Sequence, residues 1–449
     1  MNYLKKLFIE HYKGFVEKEC VEFAVPNGSP GSGLTLVVGP NNTGKTTIIE
    51  SLLIDTDKKF LESERHEGQP PKITIESSES KCGFTNIDGG SQIKYVEGTQ
   101  AHNLKFELIP SRRHWSHISN SVAELKNYVS SSKEFKIRGA GTDNNTANLL
   151  KTIDKKKEEK EKLNNIIKQI LPHFTNWTID SDDHGDFVKY ITFNREHKAN
   201  LLGDGVISIF RIAAHLVDFN NDVLIIDEPE LSIHPNVQKK LSTIFSESSK
   251  NKQIVLCTHS PYFVNWDDYI NGSYFIRLNK IKDEKCTVLY LKHDKNYAKS
   301  IEGRLRDWHK PQLLDIVAKE IMFAEKILFL EGQEDVGLIK KWMKENNKNI
   351  NCEVFGYGVG GWDSMELFLD IAKDLGIEKA GAIYDEGKDI TEIKNKFQDY
   401  RIVQLPTKDI RDKSDKKIKG IFSENGILNQ AYKQDFEDIM NSLISYFDS

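Results

Sequence analysis

The chain has 449 residues, more than one hydrophobic core usually supports, so we expect two or three domains. Hydrophobic residues make up 38% and charged residues 29% of the sequence. No apolar run reaches the roughly 18 residues of a membrane span, so we expect a cytoplasmic protein that does not contact membranes. The net charge of -5 excludes a general attraction to nucleic acid, and five scattered cysteines predict neither disulfides nor a zinc site.

The first distinctive motif is GPNNTGKTT, which lies between the apolar run LTLVV and the helix-like run TIIESLL. It fits the phosphate-binding pattern G-x-x-x-x-G-K-[ST], whose glycines let backbone amides wrap phosphate oxygens. We expect Lys45 to reach the β and γ phosphates and the Thr46 hydroxyl to bind magnesium. The motif therefore predicts ATP and Mg²⁺ as cofactors, bound by Gly39, Asn41, Asn42, Gly44, Lys45, Thr46 and Thr47.

Two later segments are rich in glycine, serine, asparagine and aspartate, which predicts loops: SSESKCGFTNIDGGSQ and KIRGAGTDNNTAN. The stretch from Lys151 to Leu171 then combines interspersed Lys and Glu with apolar residues at helical spacing. We expect a helical insert at about 145–172. Two interpretations stay open for it, a solvated surface helix with an apolar stripe or a protruding insert used for dimerisation.

The run DVLIIDEPELSIHP places Asp227 and Glu228 at the end of an apolar strand. There the aspartate can hold magnesium through water, and the glutamate can polarise the water that attacks ATP. The next run, QIVLCTHSP, ends another strand at His259, which is positioned to sense the γ-phosphate. A single histidine is more often structural, but the order and spacing of the three motifs favour a functional one.

Taken together, the phosphate loop, DEPE followed by HP, and THSP resemble the ABC-type ATPases of the SMC-like and OLD families over residues 1 to 280. The resemblance implies that a signature loop from a second ATPase head caps the nucleotide, so we expect a homodimer or higher homo-oligomer. The candidate loop is NLLGDGVISIF, with Gly203, Asp204 and Gly205, although Leu202 replaces the family's usual serine. The alternative is a simple helix N-cap by Asp204.

A second α/β pattern begins near Ala324. Its order is strand KILFLEG, helix DVGLIKKWMKEN, strand CEVFGYG, helix MELFLDIAKDLG and strand KAGAIYD, which predicts a separate small parallel sheet. Carboxylates follow the first and last of these strands, in LFLEGQED and GAIYDEGKD. Hard divalent cations need several oxygen ligands, and two-metal sites stabilise both the attacking and the leaving oxygen.

These carboxylates and the glycine turn in VFGYGVGGWD resemble the Toprim domain of the OLD family. Toprim domains place a glutamate after one strand and an acidic pair after another, where they converge on magnesium. The resemblance implies a catalytic site for Mg²⁺, with Mn²⁺ as a possible replacement. Its implied ligands are Glu331, Asp335 (or Glu334, as in an OLD-like variant), Asp385 and Asp389.

The second strand end departs from the family's D-x-D pattern. This chain has Asp385, Glu386 and Gly387 in sequence, so the second aspartate is missing from its expected place. Asp389 or Glu386 could substitute, with altered geometry. The basic stretch Lys408–Gly420 could hold a scissile phosphate or a DNA backbone, or be a solvated loop.

An SMC-like ATPase domain over 1–310, followed by a Toprim-like domain over 320–449, resembles the OLD family. The resemblance implies an ATP-regulated, metal-dependent DNA endonuclease of antiphage defence. The alternative is an ATPase sensor or scaffold whose degenerate Toprim-like domain controls a separate effector protein. The residues assigned to catalysis are Glu228, His259, Glu331, Asp335 and Asp385.

Overall fold

A computed structural model of the chain contains two compact units, Met1–Val288 and Leu289–Ser449. The unit boundary precedes the predicted domain boundary at 310–320. No helix among the described residues has both the length and the apolar character needed to cross a membrane. The structure describes residues 2–449 except 55–58, 65, 67–68, 88–89, 101, 112–143, 183–184, 194, 199–203, 219, 282–284, 292–294, 308–315, 388 and 414–417.

The first unit combines three sheets with helices, and it confirms the predicted α/β class. Its strands are β1 (Leu4–Glu10), β2 (Glu19–Glu22), β3 (Leu34–Val38), β4 (Lys72–Ser77), β5 (Lys81–Asn86), β6 (Ile93–Tyr95), β7 (Phe106–Ile109), β8 (Phe174–Asp182), β9 (Gly185–Thr192), β10 (Arg195–Lys198), β11 (Val223–Asp227), β12 (Gln253–Cys257), β13 (Tyr274–Ile281) and β14 (Lys285–Tyr290). Its helices are α1 (Lys45–Leu52), α2 (Asn144–Asp154), α3 (Lys157–Ile170), α4 (Asp204–Val217), α5 (Pro235–Ser248) and α6 (Trp266–Asn271).

The central sheet of this unit has the strand order β14-β13-β3-β12-β11-β7. The strands from β13 to β7 pair in parallel. Every residue of β3 and β12 is buried, as expected for aliphatic parallel strands covered on both faces. Because these strands run in the same direction, the loops that follow β3, β11 and β12 leave the sheet at one edge.

A second sheet has the order β2-β1-β4-β5-β6, and all its pairs are antiparallel. It corrects one prediction, because SSESKCGFTNIDGGSQ was expected to be a loop and contains β5. Cys82 and Phe84 of β5 are buried. A Cβ at Gly83 would lie 2.9 Å from the Val96 side chain, so this glycine permits close packing inside a strand rather than a turn.

The predicted helical insert forms two helices, α2 and α3, and the three-stranded antiparallel sheet β10-β9-β8 follows it. The start of α2 overlaps the end of KIRGAGTDNNTAN, whose earlier residues, 136–143, lie outside the described part of the chain. The apolar stripe of α3 includes Leu163 and Ile167, which pack in one buried cluster with Trp177 and Phe210. The stripe therefore packs inside its own unit instead of forming a free surface for dimerisation.

This packing predicts that Ile167→Ala lowers the free energy of unfolding of the first unit by about 2–5 kcal/mol, because it leaves a cavity in a fully buried cluster. Denaturant unfolding measures the change. The matched control is Ile87→Ala in the same unit, since Ile87 is 37% exposed and should cost far less. A fall in molar mass with unchanged stability would instead indicate a dimerisation stripe.

The second unit confirms the predicted small parallel sheet, with the strand order β16-β15-β17-β18. A buried hydrophobic cluster of this unit joins β15 and the helix that follows it to the C-terminal helix, with Leu328, Ile339 and Phe447 fully buried. The strands are β15 (Lys326–Leu330), β16 (Glu353–Val354), β17 (Lys379–Tyr384) and β18 (Arg401–Gln404). The helices are α7 (Lys295–Arg306), α8 (Ile316–Lys319), α9 (Gln333–Glu345), α10 (Trp362–Asp374), α11 (Thr391–Lys396) and α12 (Lys433–Asp448).

Candidate functional site

The predicted phosphate loop connects β3 to α1 in the first unit. Gly39 and Gly44 have φ of 151° and 101°, and a Cβ at Gly44 would lie 2.9 Å from the Phe15 ring. Lys45 Nζ donates hydrogen bonds to the carbonyls of Gly39 at 2.7 Å and Pro40 at 2.8 Å. Burial lowers the pKa of Lys45, and an anionic ligand in the loop would offset this cost of desolvation.

The loop forms one wall of a cavity of about 810 Å³, a size that suits a cofactor. Lys13 and Lys280 also line this cavity, and the sequence analysis missed both. Lys13 is ion-paired with Glu50 and Glu64, which fixes its ammonium beside the cavity. The predicted residues in the lining are Asn41, Asn42, Gly44, Lys45, Thr46, Thr47, Asp227, Glu228 and His259.

Asp227 ends β11, and Glu228 follows it into the cavity. The Glu228 N–H donates to the Cys257 carbonyl at 2.8 Å, and its φ of 46° is uncommon for a residue other than glycine. His259 Nε2 lies 3.8 Å from Glu228 Oε1. Burial lowers the pKa of His259, and Lys45 acts in the same direction, so the imidazole is mainly neutral at pH 7.

The residues around this cavity fit a nucleotide with its magnesium ion. The Thr46 hydroxyl and the Asp227 carboxylate both line it and offer the oxygen ligands that Mg²⁺ prefers. Lys45 supplies a cation for the phosphates, while Glu228 and His259 lie beside each other on neighbouring strand ends. The arrangement can therefore hold a triphosphate and activate a water molecule next to it.

The predicted signature loop is only partly described. Leu202 and Gly203 lie outside the described residues, as does the side chain of Asp204, where α4 begins. A Cβ at Gly205 would lie 2.4 Å from the Ser232 carbonyl oxygen, so glycine permits the start of α4 to approach the loop after β11. Capping of a nucleotide in a second head stays a prediction, and so does the N-cap alternative.

In the second unit, β15 and β17 are parallel neighbours, so Glu331 and Asp385 leave the sheet at the same edge. Glu331 Oε1 accepts a hydrogen bond from the Asp385 N–H at 3.0 Å. Asp335 lies in the first turn of α9, where its Oδ2 accepts from the Gly332 N–H at 2.7 Å. A Cβ at Gly358 would lie 2.7 Å from the Gly332 backbone, so the glycine turn packs tightly against this strand end.

The carboxylates at this edge repel one another. Burial, together with the charges of Asp335, Glu331 and Asp409, raises the pKa of Asp385 to about 8. Burial likewise raises the pKa of Asp335 to about 7, with Glu331 and Asp409 again contributing. A bound cation would relieve this repulsion, and carboxylate oxygens suit Mg²⁺ or Mn²⁺.

The second unit therefore fits a divalent cation by the chemistry of its donors. The spacing of these donors does not yet match a metal site. The described residues contain no group of three or more His, Cys, Asp or Glu side chains already spaced to hold a metal. The charges of Asp335, Glu331 and Asp409 all raise the pKa of Asp385, so these carboxylates lie near it. Coordination would require these side chains to move closer together.

Asp409 is a member of this cluster that the sequence analysis missed. It follows β18, the strand beside β17, and its carboxylate pairs with Lys413. The predicted ligand Asp389 is instead exposed, and it accepts hydrogen bonds from the backbone and hydroxyl of Thr391 at the start of α11. An acidic residue soon after the run RIVQL was the available signal for Asp409, but its place depends on strand order.

The other candidates have separate contacts. Glu334 Oε1 accepts from Arg411 Nη2 at 2.8 Å in an ion pair, and its charge contributes to the raised pKa of Asp335. Glu386 has an exposed side chain, and its N–H donates to the Thr407 carbonyl at 2.8 Å. Residues 414–417 of the basic stretch Lys408–Gly420 lie outside the described residues. Three of its four described bases, Arg411, Lys413 and Lys419, pair with carboxylates.

Two protein-family models match separate parts of the chain. The model described as AAA ATPase domain matches residues 91–264, which include the DEPE and THSP motifs. The model described as Overcoming lysogenization defect protein-like, TOPRIM domain matches residues 322–386, which include LFLEGQED and GAIYDE. The matches confirm the predicted class, an ATPase domain followed by an OLD-like Toprim domain.

Individual relatives agree with this class. Endonuclease GajA of Bacillus cereus (strain HuB5-5) is 24% identical over 245 residues, covering 46% of this chain and 36% of that protein. The OLD nuclease of Thermus scotoductus is 27% identical over 159 residues, covering 34% of this chain and 29% of that protein. The chain thus spans about a third of the length of these relatives. The resemblance to the OLD family is confirmed.

Solved structures of SMC heads also align with the chain. The Smc head domain of Pyrococcus furiosus aligns with 68% of this chain and 100% of its own length, at 13% identity and a TM-score of 0.46. The SMC head domain of Thermotoga maritima aligns with 65% of this chain and 99% of its own length, at 16% identity and a TM-score of 0.40.

Proposed function

We propose that this chain binds and hydrolyses ATP in its first unit and cleaves DNA in its second, with the nucleotide regulating a metal-dependent endonuclease of antiphage defence. The observation that carries the proposal is the group of carboxylates that leaves three neighbouring strands of an OLD-like Toprim sheet. The names of the two relatives, an endonuclease and an OLD nuclease, support the same activity. The cavity beside the phosphate loop supports the ATPase.

For ATP hydrolysis, the backbone of the phosphate loop and Lys45 bind the β and γ phosphates. Thr46 and Asp227 would hold Mg²⁺, which supplies positive charge to the phosphates when bound. Glu228 accepts a proton from the attacking water as general base, and His259 donates a hydrogen bond toward the γ-phosphate. Glu228 Oε1 and His259 Nε2 lie 3.8 Å apart, so both groups can face one reacting centre.

For DNA cleavage, Glu331, Asp335 and Asp385 would hold Mg²⁺ or Mn²⁺, with Asp409 as the fourth carboxylate in place of Asp389. A bound cation supplies charge stabilisation to the attacking and leaving oxygens of the phosphodiester. Glu331 also orients the Asp385 backbone through its hydrogen bond. A protonated Asp385 cannot serve as a ligand in the same way, so metal binding would displace protons from the cluster.

The proposed assembly is a homodimer or higher homo-oligomer through the ATPase heads. Gly203, Asp204 and Gly205 of one chain would cap the nucleotide held by another chain, at the N-terminus of α4, where backbone N–H groups attract phosphate. DNA is the proposed substrate and partner of the second unit. Basic residues of Lys408–Gly420 are the proposed contact for its backbone.

One observation favours a second function. The described carboxylates of the second unit are not already spaced to hold a metal, and the family's second aspartate position is glycine. A chain with an inactive Toprim-like domain would be an ATPase sensor or scaffold that controls a separate effector protein. Metal-dependent cleavage by the purified chain distinguishes the two functions.

Two variants of the first unit should separate ATP binding from turnover. Lys45→Ala should weaken ATP binding because it removes the cation of the phosphate loop. Glu228→Gln should keep ATP binding and lower kcat by about 100-fold or more, because the general base is lost. Calorimetric titration with ATP and a phosphate-release assay measure the two effects, with exposed Lys5→Ala as the charge-matched control. Normal turnover by Glu228→Gln would remove Glu228 from this role.

A further pair of variants should identify the fourth carboxylate of the proposed metal site in the second unit. Asp409→Asn should lower metal-dependent DNA cleavage at least about tenfold, because it removes a charge from the ligand cluster while preserving side-chain volume. Asp389→Asn is the matched control and should leave cleavage nearly unchanged, since this aspartate contacts Thr391. ATP hydrolysis should persist in both variants. The reverse order of effects would restore Asp389 as the ligand and exclude Asp409.

A further inference from the structure

Glu230, the third acidic residue of the DEPE motif, has contacts that the proposed ATPase mechanism does not yet use. Its side chain is half-buried, and both of its carboxylate oxygens accept hydrogen bonds from the loop after β12. Oε2 accepts from the Thr258 hydroxyl at 2.7 Å, and Oε1 accepts from the His259 N–H at 2.7 Å. Glu230 does not line the nucleotide cavity, so its contacts lie behind the reacting groups.

These two bonds belong to a longer buried network. The Thr258 hydroxyl oxygen accepts from the Ser260 N–H at 2.9 Å, and the Ser260 hydroxyl donates to Gln238 Oε1 at 2.6 Å. Gln238 Nε2 then donates to the Ile233 carbonyl at 2.7 Å. The network therefore ties the loop after β12 to α5 and to the loop after β11, which also carries Glu230.

An ionised carboxylate suits this position. The Thr258 hydroxyl and the His259 N–H both act as donors here, and a carboxylate is an acceptor at both of its oxygens. Burial raises the pKa of Glu230, whereas the two hydrogen bonds act in the opposite direction. Hydrogen bonds to a charged acceptor are shorter and stronger than those between neutral groups, so they can fix a loop in place.

The loops joined by Glu230 carry the two groups that face the γ-phosphate in the proposed reaction. Glu228 holds an uncommon backbone conformation, with φ of 46°, and its N–H donates to Cys257. The His259 N–H donates its hydrogen bond to the Glu230 carboxylate, which therefore fixes the backbone from which the imidazole extends. The uncommon backbone conformation of Glu228 persists only where surrounding contacts hold it firmly in place.

We infer that Glu230 is a positioning residue for ATP hydrolysis, whose carboxylate holds the His259 loop against the Glu228 loop. The inference rests on the proposed ATPase function and adds a residue to its mechanism. Loss of this contact would displace His259 relative to Glu228, and a misplacement of about 1 Å can cost about 100-fold in rate. ATP binding would be retained, because the hydrogen bonds of Lys45 go to the Gly39 and Pro40 carbonyls of the phosphate loop.

The test measures kcat, KM and the Kd for ATP in Glu230→Ala and Glu230→Gln, together with thermal unfolding. Glu230→Ala should lower kcat by about 100-fold with an unchanged Kd. Glu230→Gln should show an intermediate kcat, because its amide oxygen still accepts from the His259 N–H. The control is Glu247→Ala, which removes an exposed glutamate of α5 that pairs with Lys250, and it should match the wild type.

A Glu230→Ala variant that turns over ATP like Glu247→Ala would overturn the inference. Weaker ATP binding together with a lower melting temperature would also overturn it, because that result would indicate a structural role alone. If Glu230→Ala does not fold, Glu230→Gln decides, and a wild-type kcat in that variant overturns the inference. A wild-type chain that binds ATP without hydrolysing it would reject the ATPase function itself, and the inference with it.

Discussion

Parallel strand pairing places the polar residues of each unit at one edge of a sheet. Asp227 of β11 lies opposite Cys257 of β12, so the residues after both strands emerge side by side. This register places His259 beside Glu228, the residue that follows Asp227. The same constraint acts in the second unit, where β15 and β17 pair in parallel and Glu331 meets the backbone of Asp385. Both proposed sites therefore depend on backbone pairing between strands that are far apart in sequence.

The two sites carry opposite electrostatic costs. In the first unit, burial disfavours the charged form of Lys45, and an anionic phosphate would compensate. In the second, burial and neighbouring carboxylates disfavour the charged form of Asp385, and a divalent cation would compensate. Each unit is thus prepared for a ligand of the opposite sign. Neither cost has to be met by the fold alone, because ligand binding stabilises the folded state.

The features that could be predicted from the sequence are those that depend on residues adjacent in the chain. Apolar runs followed by motifs identified β3, β11, β12, β15 and β17, because a buried parallel strand has its own composition. Strand β5 was not predicted, because its glycine and polar residues are typical of a loop. Gly83 lies inside the strand because a larger side chain would clash with Val96, which lies on another segment. Asp409 was not predicted as a ligand. Asp389 was chosen instead, because it is closer to Asp385 in the sequence. Only the position of β18 beside β17 brings Asp409 to the cluster.

The most direct test of ATP-regulated nuclease function is DNA cleavage by the purified chain in the presence of Mn²⁺. The assay compares no nucleotide, ADP and ATP on linear and supercoiled DNA, with Glu331→Ala as the metal-site variant. We expect cleavage by the wild type that changes with the nucleotide, and no cleavage by Glu331→Ala, which should still hydrolyse ATP because its change lies in the other unit. A wild-type chain that hydrolyses ATP but cleaves none of these DNA forms would contradict the account and favour a sensor with a separate effector.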